Sequence, residues 1–192
     1  ILSHGVLRQL LGQYVGVKPQ DIEYETCPYG KPALSPICGD RSLQFNMSHT
    51  DGLAVFAATR NRRIGVDVER MDREFKDRDE IAASYFSAQE TDVYRSLPER
   101  DRVEGFFNCW TRKESFIKAT GDGLTCPLES FQVTLRPGDQ AKLLAVRSGR
   151  AEDWSMVSVD PLNGYKAAIT AEATWELVDL GEFNDDPRWR PD

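Results

Sequence analysis

Asp67 and Glu69 stand two residues apart in Ile64-Gly65-Val66-Asp67-Val68-Glu69. Further along, Glu114 and Lys118 stand four apart in Trp110-Thr111-Arg112-Lys113-Glu114-Ser115-Phe116-Ile117-Lys118. On an extended strand, positions i and i+2 share a face, with Cα atoms about 6.5–7 Å apart, so both carboxylates of the first pair can reach one cation. Side by side they repel unless a metal or a basic group sits between them. On a helix, positions i and i+4 share a face, with Lys113 one step round from Glu114. Hard oxygen ligands without soft donors suit Mg²⁺, which takes a few carboxylates together with substrate phosphates; Mn²⁺ stays open. Lysines and a histidine nearby would neutralise the remaining phosphate charge. The chemistry indicated is cleavage of a pyrophosphate linkage, or transfer from one, with electrostatics lowering most of the barrier.

Two further segments could contribute. Pro28-Tyr29-Gly30-Lys31-Pro32 reads as a rigid turn, with φ fixed twice and glycine between, and holds Lys31 where it could grip an anion. Ser48-His49 offers a hydroxyl, an imidazole and backbone N–H groups that could cradle phosphate oxygens from one turn. Each signal also has an ordinary reading. Asp67 and Glu69 could form a solvated strand face, and Glu114 with Lys118 a surface ion pair worth a few tenths of a kcal/mol. Lys31 could be an exposed lysine and His49 a plain turn residue. No elbow motif flanks Ser48 as a nucleophile. His4 and His49 are the only histidines, which excludes a multi-histidine metal site.

The elements that must position these residues are legible in outline. Apolar spacing predicts a helix over Leu2–Val15. Strands are predicted over Leu43–Met47 and Leu53–Thr59, joined through Ser48-His49-Thr50-Asp51-Gly52, and then over Ile64–Glu69. In that last strand Ile64, Val66 and Val68 take one face, and Gly65, Asp67 and Glu69 the other. Met71–Asp79 reads as a loop and Glu80–Phe86 as a short helix. Ser87-Ala88-Gln89-Glu90 is a capping box that opens another helix. Pro98 suits a first turn, so a long helix should run through Phe106, Phe107, Trp110 and Ile117 to Thr120, stopped by Gly121-Asp122-Gly123. Strands over Ser130–Leu135, Lys142–Val146, Trp154–Val159 and Tyr165–Thr170 complete the chain. Helix, strands, helices, strands is an α+β order rather than alternating α/β. The pattern suggests two similar halves, residues 1–62 and 63–180, followed by a tail over 181–192.

At 192 residues the chain can bury a sizeable core, and 40% hydrophobic with 29% charged residues is ordinary soluble composition. No apolar run is long enough to span a bilayer and no secretory signal is evident, so a cytoplasmic location without membrane attachment is expected. Cys27, Cys38, Cys109 and Cys126 show no zinc spacing and read as free thiols. A net charge of −7 argues against nucleic acid as a partner. Arg60, Arg62 and Arg63 offer a local basic patch or simply a solvated turn. The chain opens on Ile1, with Val6, Leu7, Leu10 and Leu11 already on one helix face, so the natural protein is expected to begin upstream.

Gly65-Val66-Asp67-Val68-Glu69 together with Trp110–Lys118 resembles the signature pair of the 4′-phosphopantetheinyl transferases. Tyr29-Gly30-Lys31-Pro32 and Phe45-Asn46-Met47-Ser48-His49 resemble two further motifs of that family, in the same order. The resemblance covers roughly residues 5–175 and is closest to the Sfp-type, pseudo-dimeric branch, including its cyanobacterial members. It implies an α+β fold of two halves related by a pseudo-twofold. It also implies a monomeric enzyme that moves the phosphopantetheine arm of coenzyme A onto a serine of an apo acyl, peptidyl or aryl carrier protein, releasing 3′,5′-ADP.

Carried onto this chain, the resemblance makes Asp67, Glu69 and Glu114 the Mg²⁺ ligands. Gly30, Lys31 and Pro32 would lie along the adenosine end of coenzyme A, and Ser48, His49, Lys113 and Lys118 would contact its phosphates. Glu114 would be the base for the carrier serine, directly or through water, and Lys118 would protonate the leaving group or simply neutralise it. Tyr85, Phe86 and Tyr94, in the stretch Phe75–Tyr94, would offer contacts to the carrier. Two rivals use the same residues: a metal-dependent phosphodiesterase, and an inactive module that binds carrier proteins.

Overall fold

The computed structural model describes residues 2–27, 29–72 and 77–175. Pro28 of the expected rigid turn, Phe75 of the expected carrier-binding stretch, and the expected tail over 181–192 lie outside the described residues. The chain opens with α1 (Leu2–Val15), whose Leu7 and Leu11 are buried and which gives way at Gly16, φ 71°. Two short antiparallel strands follow, β1 (Tyr24–Thr26) and β2 (Pro32–Leu34), on either side of the Gly30-Lys31 turn.

Strands β3 (Leu43–Thr50) and β4 (Leu53–Arg60) form a hairpin closed by Asp51-Gly52. Gly52 supplies the positive φ that so tight a turn requires. Here the sequence reading needs correcting. Ser48, His49 and Thr50 continue the strand rather than forming the turn, so Ser48 and His49 point to opposite faces of it.

Strand β5 (Ile64–Arg70) carries the first carboxylate pair. It is followed by α2 (Arg78–Tyr85), which starts two residues earlier than predicted, and by α3 (Ala88–Ser96). The capping box at the start of α3 is present in full: the Ser87 hydroxyl accepts from the Glu90 N–H at 3.2 Å, and the Glu90 carboxylate accepts from the Ser87 N–H at 2.7 Å. Helix α4 (Glu99–Thr120) begins just after Pro98 and ends on a left-handed Gly121, as its sequence predicts.

Strands β6 (Gln132–Val133) and β7 (Leu143–Ala145) are shorter than predicted, with a register irregularity between Gln132 and Val133. Strand β8 (Trp154–Val159) matches its prediction, and β9 (Tyr165–Glu172) runs on to Glu172. The largest sheet is antiparallel, in the order β5-β9-β8. The architecture is α+β, a mixture of helices and small antiparallel sheets.

Apolar burial falls into three clusters. One packs Leu7 and Leu11 of α1 against Ile22, Leu34, Leu43 and Phe45. The largest gathers Phe86, Tyr94, Phe106, Phe107, Phe116 and Phe131 around α4. The third joins Ile64 and Val66 of β5 to Ile169, Ala171 and Ala57, on the side of β5 away from Asp67. Long helix α4 therefore has a core on one flank and the strand bearing the carboxylates on another.

Candidate active site

The site begins with a glycine. A Cβ on Gly65 would lie 2.2 Å from the Ser115 carbonyl oxygen and 2.3 Å from the Ala119 nitrogen, so β5 and α4 meet backbone to backbone at this point. The same face of β5 carries Asp67 and Glu69, and the facing side of α4 carries Glu114 and Lys118. At so close an approach short side chains meet directly. The Lys118 Nζ lies 2.7 Å from Asp67 Oδ1. The Ser115 and Thr170 hydroxyls bond at 2.7 Å, holding the helix to β9 as well.

Strand β3 closes the site from the other side. Ser48 Oγ accepts from Lys118 Nζ at 3.0 Å and from the Val68 N–H at 3.3 Å, and lies 3.1 Å from Asp67 Oδ1, to which it donates. Asn46, two residues earlier on the same face, accepts the Val66 N–H at Oδ1, 2.9 Å away.

Two observations show that this cluster is incomplete as a set of protein groups. Asp67 is 4% exposed, yet its Oδ2 is buried and has no hydrogen-bond partner. A carboxylate oxygen left so is costly unless something outside the chain completes it. The Glu114 carboxyl is pushed above the ordinary glutamate range, first by burial and then by the negative charge of Asp67; Lys118 opposes this, and Glu69 adds to it. Three carboxylates thus share one region with Lys118. A divalent cation supplies the charge and the oxygen affinity this donor set calls for, so the residues fit the expected metal. Among the described residues no three acidic, histidine or cysteine side chains are already gathered as a metal cluster, so the fit rests on charge and on the unpaired oxygen.

Beside the cluster lies a cavity of about 410 Å³. Gly30, Lys31, Asn46, Glu114 and Lys118 line it, with Tyr29, Tyr85, Ile117 and Leu128 giving it apolar wall. Lys31 reaches inward, and its Nζ donates to the Ile64 carbonyl at 2.8 Å and the Ala119 carbonyl at 3.1 Å. Burial lowers its pKa to about 8. Its ammonium therefore ties the start of β5 to the end of α4 while its chain walls the cavity.

Other expected residues fall elsewhere. Lys113 is wholly buried on another side of α4, with its Nζ 2.8 Å from Glu90 Oε2 and bonded to the Leu128 and Phe131 carbonyls, so it does not face the phosphate site expected of it. His49 is exposed on the opposite face of β3 from Ser48, and Pro32 is exposed at the start of β2; neither lines the cavity. Phe86 and Tyr94 are core residues, at 3% and 2% exposure, whereas Tyr85 is exposed at the cavity rim and packs edge-on against Trp110. Asn46 was not singled out from the sequence. Its signal was its position two residues before Ser48.

The family model of the 4′-phosphopantetheinyl transferase superfamily matches residues 63–170. HetI, a 4′-phosphopantetheinyl transferase of Nostoc sp., is 36% identical over 167 residues, covering 87% of this chain and 68% of that protein. The 4′-phosphopantetheinyl transferase Sfp of Bacillus subtilis is 31% identical over 171 residues, 89% of this chain and 72% of Sfp. Among solved structures, the holo-[acyl-carrier-protein] synthase of Thermotoga maritima resembles this chain with a TM-score of 0.45 at 16% identity, covering 58% of this chain and 63% of that one. This chain belongs to the 4′-phosphopantetheinyl transferase superfamily.

Proposed function

We propose that this protein transfers the 4′-phosphopantetheine arm of coenzyme A to a serine hydroxyl of an apo carrier protein, at the junction of β5, α4 and β3. The observation that carries this reading is the unpaired, buried Oδ2 of Asp67 beside Glu114, at the edge of a cavity lined by Lys31, Asn46 and Lys118. Asp67, Glu69 and Glu114 would hold Mg²⁺. When bound, the cation neutralises charge on the pyrophosphate and on the departing 3′,5′-ADP.

The chain's own groups supply the rest. The serine oxygen bonds to the phosphorus on the pantetheine side, the bridging P–O bond breaks, and the serine proton must leave as the new bond forms. Glu114 takes that proton. It does so directly or through water, from its place on the cavity wall. Lys118 neutralises charge on the leaving side. Gly30 and Lys31 line the part of the cavity given to the nucleotide, and Tyr85 at the rim offers an apolar contact to the carrier.

The test is intact-mass spectrometry of an apo carrier protein incubated with this chain, coenzyme A and Mg²⁺. A gain of one phosphopantetheine arm that EDTA abolishes is expected. Asp67→Ala and Glu114→Ala should each lower the rate by about two orders of magnitude or more while leaving the urea midpoint intact. Near wild-type transfer in either variant would sink the metal assignment, and release of 3′,5′-ADP without a carrier would mark a phosphodiesterase.

A further inference from the structure

Among the described residues, strand β5 pairs through its backbone with β9 on one side only. On its other side the Val66 and Val68 N–H groups, which flank Asp67, are taken by side chains of β3: Asn46 Oδ1 at 2.9 Å and Ser48 Oγ at 3.3 Å. Both bonds span the same twenty-residue offset, so β3 and β5 run side by side in the same direction, joined by side chains where a sheet would use backbone. A side chain between two strands holds them further apart than a backbone ladder can. Resting on the metal reading given above, we infer that Asn46 and Ser48 are positioning residues that fix the metal carboxylate Asp67 from both flanks.

Ser48 also selects which oxygen of Asp67 is left over. A hydroxyl has one proton and two lone pairs. The proton goes to Asp67 Oδ1, and the lone pairs accept from the Val68 N–H and the Lys118 ammonium. These three bonds fill the capacity of the Ser48 hydroxyl. It holds Oδ1 against Lys118 and so directs Oδ2 away, as the oxygen without a partner. Asn46 is fixed in the same way. Its Oδ1 accepts from the Val66 N–H, and the residue lines the cavity. Ser48 thus has a role acting through Asp67.

Mn²⁺ alone, titrated into the protein and followed by electron paramagnetic resonance, reads this role without any turnover. Ser48→Ala and Asn46→Leu should each weaken Mn²⁺ binding by about tenfold or more, while Ser48→Thr, which keeps the hydroxyl, should stay within about threefold of wild type. Gln44→Ala is the control, on the same face of β3 but with its amide bonded to the Arg41 carbonyl, and it should bind Mn²⁺ as wild type does. Urea midpoints for all four variants separate lost affinity from lost fold. If wild type binds Mn²⁺ and Ser48→Ala and Asn46→Leu bind it equally well, the positioning role is overturned. Absence of binding by the wild type would instead overturn the metal reading beneath it.

Discussion

Helix α4 carries two lysine–carboxylate pairs of the same chemistry and opposite character. Lys113 and Lys118 are five residues apart, hence about 140° apart around the axis. Lys113 meets Glu90 in a closed setting. Its ammonium reaches Glu90 Oε2 and the Leu128 and Phe131 carbonyls, it lies over the Phe131 ring, and the two Glu90 oxygens also accept the Ser87 and Val133 N–H groups. Lys118 meets Asp67 in an open one, with Asp67 Oδ1 engaged and Oδ2 buried without a partner. A pair whose donors and acceptors are all matched holds a fold together. A pair with one oxygen to spare is available to a ligand, and that difference marks the site more sharply than the presence of charge does.

The largest effect that tests the contrast is on stability. Lys113→Ala strips a fully buried carboxylate of its counter-charge and leaves two carbonyls unpaired, so it should cost about 3–5 kcal/mol of unfolding free energy. Lys118→Ala also takes the counter-charge from a buried carboxylate, but its side chain is 29% exposed and water can replace it, so the cost should be smaller, about 1–3 kcal/mol, while transfer to a carrier protein should fall steeply. Urea denaturation of both variants beside the mass assay gives both readings. Equal stability losses, or an active Lys118→Ala, would break the comparison.

Gly65→Ala comes next, because it acts on the open pair through the backbone. The new methyl would meet the Ser115 oxygen, the Ala119 nitrogen and the Lys118 carbonyl carbon at 2.2, 2.3 and 2.7 Å, and no flexible side chain is there to give way. Strand and helix must separate, at a cost of about 1–3 kcal/mol. The separation carries Asp67 away from Lys118 and Glu114, so transfer should fall by more than the stability loss explains. An unchanged urea midpoint with full transfer would mean that the close approach is not required.

These pairs were unequally legible in the sequence. The face shared by Asp67 and Glu69 follows from strand alternation alone, and the Glu114–Lys118 face from helical spacing, so the heart of the candidate site could be read directly. Lys113 was misassigned because adjacent helix positions differ by about 100°, and only the tertiary fold shows that α3 places Glu90 on its side. Glu90 itself was legible as a capping-box residue. That its second oxygen reaches Val133 and its charge meets Lys113 depends on contacts distant in sequence. His49 was grouped with Ser48 because both were given to a turn. Extending the alternation of Leu43, Phe45 and Met47 would have put His49 on their face, with Asn46 and Ser48 on the other.

A third lysine, Lys31, lies between the two extremes and gives the smallest and most specific test. Among the described residues its Nζ bonds two carbonyls, those of Ile64 and Ala119, and burial leads the lowering of its pKa from 10.5 to about 8, with Arg63 adding to it while Cys27 and Glu172 oppose. A lysine whose folded pKa lies below its unfolded value binds fewer protons in the native state across the interval between them. Stability must therefore rise with pH from about 8 toward 10.5, and below about 8 the full cost of burying the charge is present. Lys31→Met removes this proton linkage and leaves the pH responses of other groups in place. The difference in urea midpoint, wild type minus Lys31→Met, should then shift in favour of the wild type as the pH is raised from 7 to 10. A difference that stays flat would show that Lys31 carries the same charge in both states. One of opposite slope would show that its two carbonyls hold the ammonium better than water does, and would move Lys31 to the closed side of the comparison.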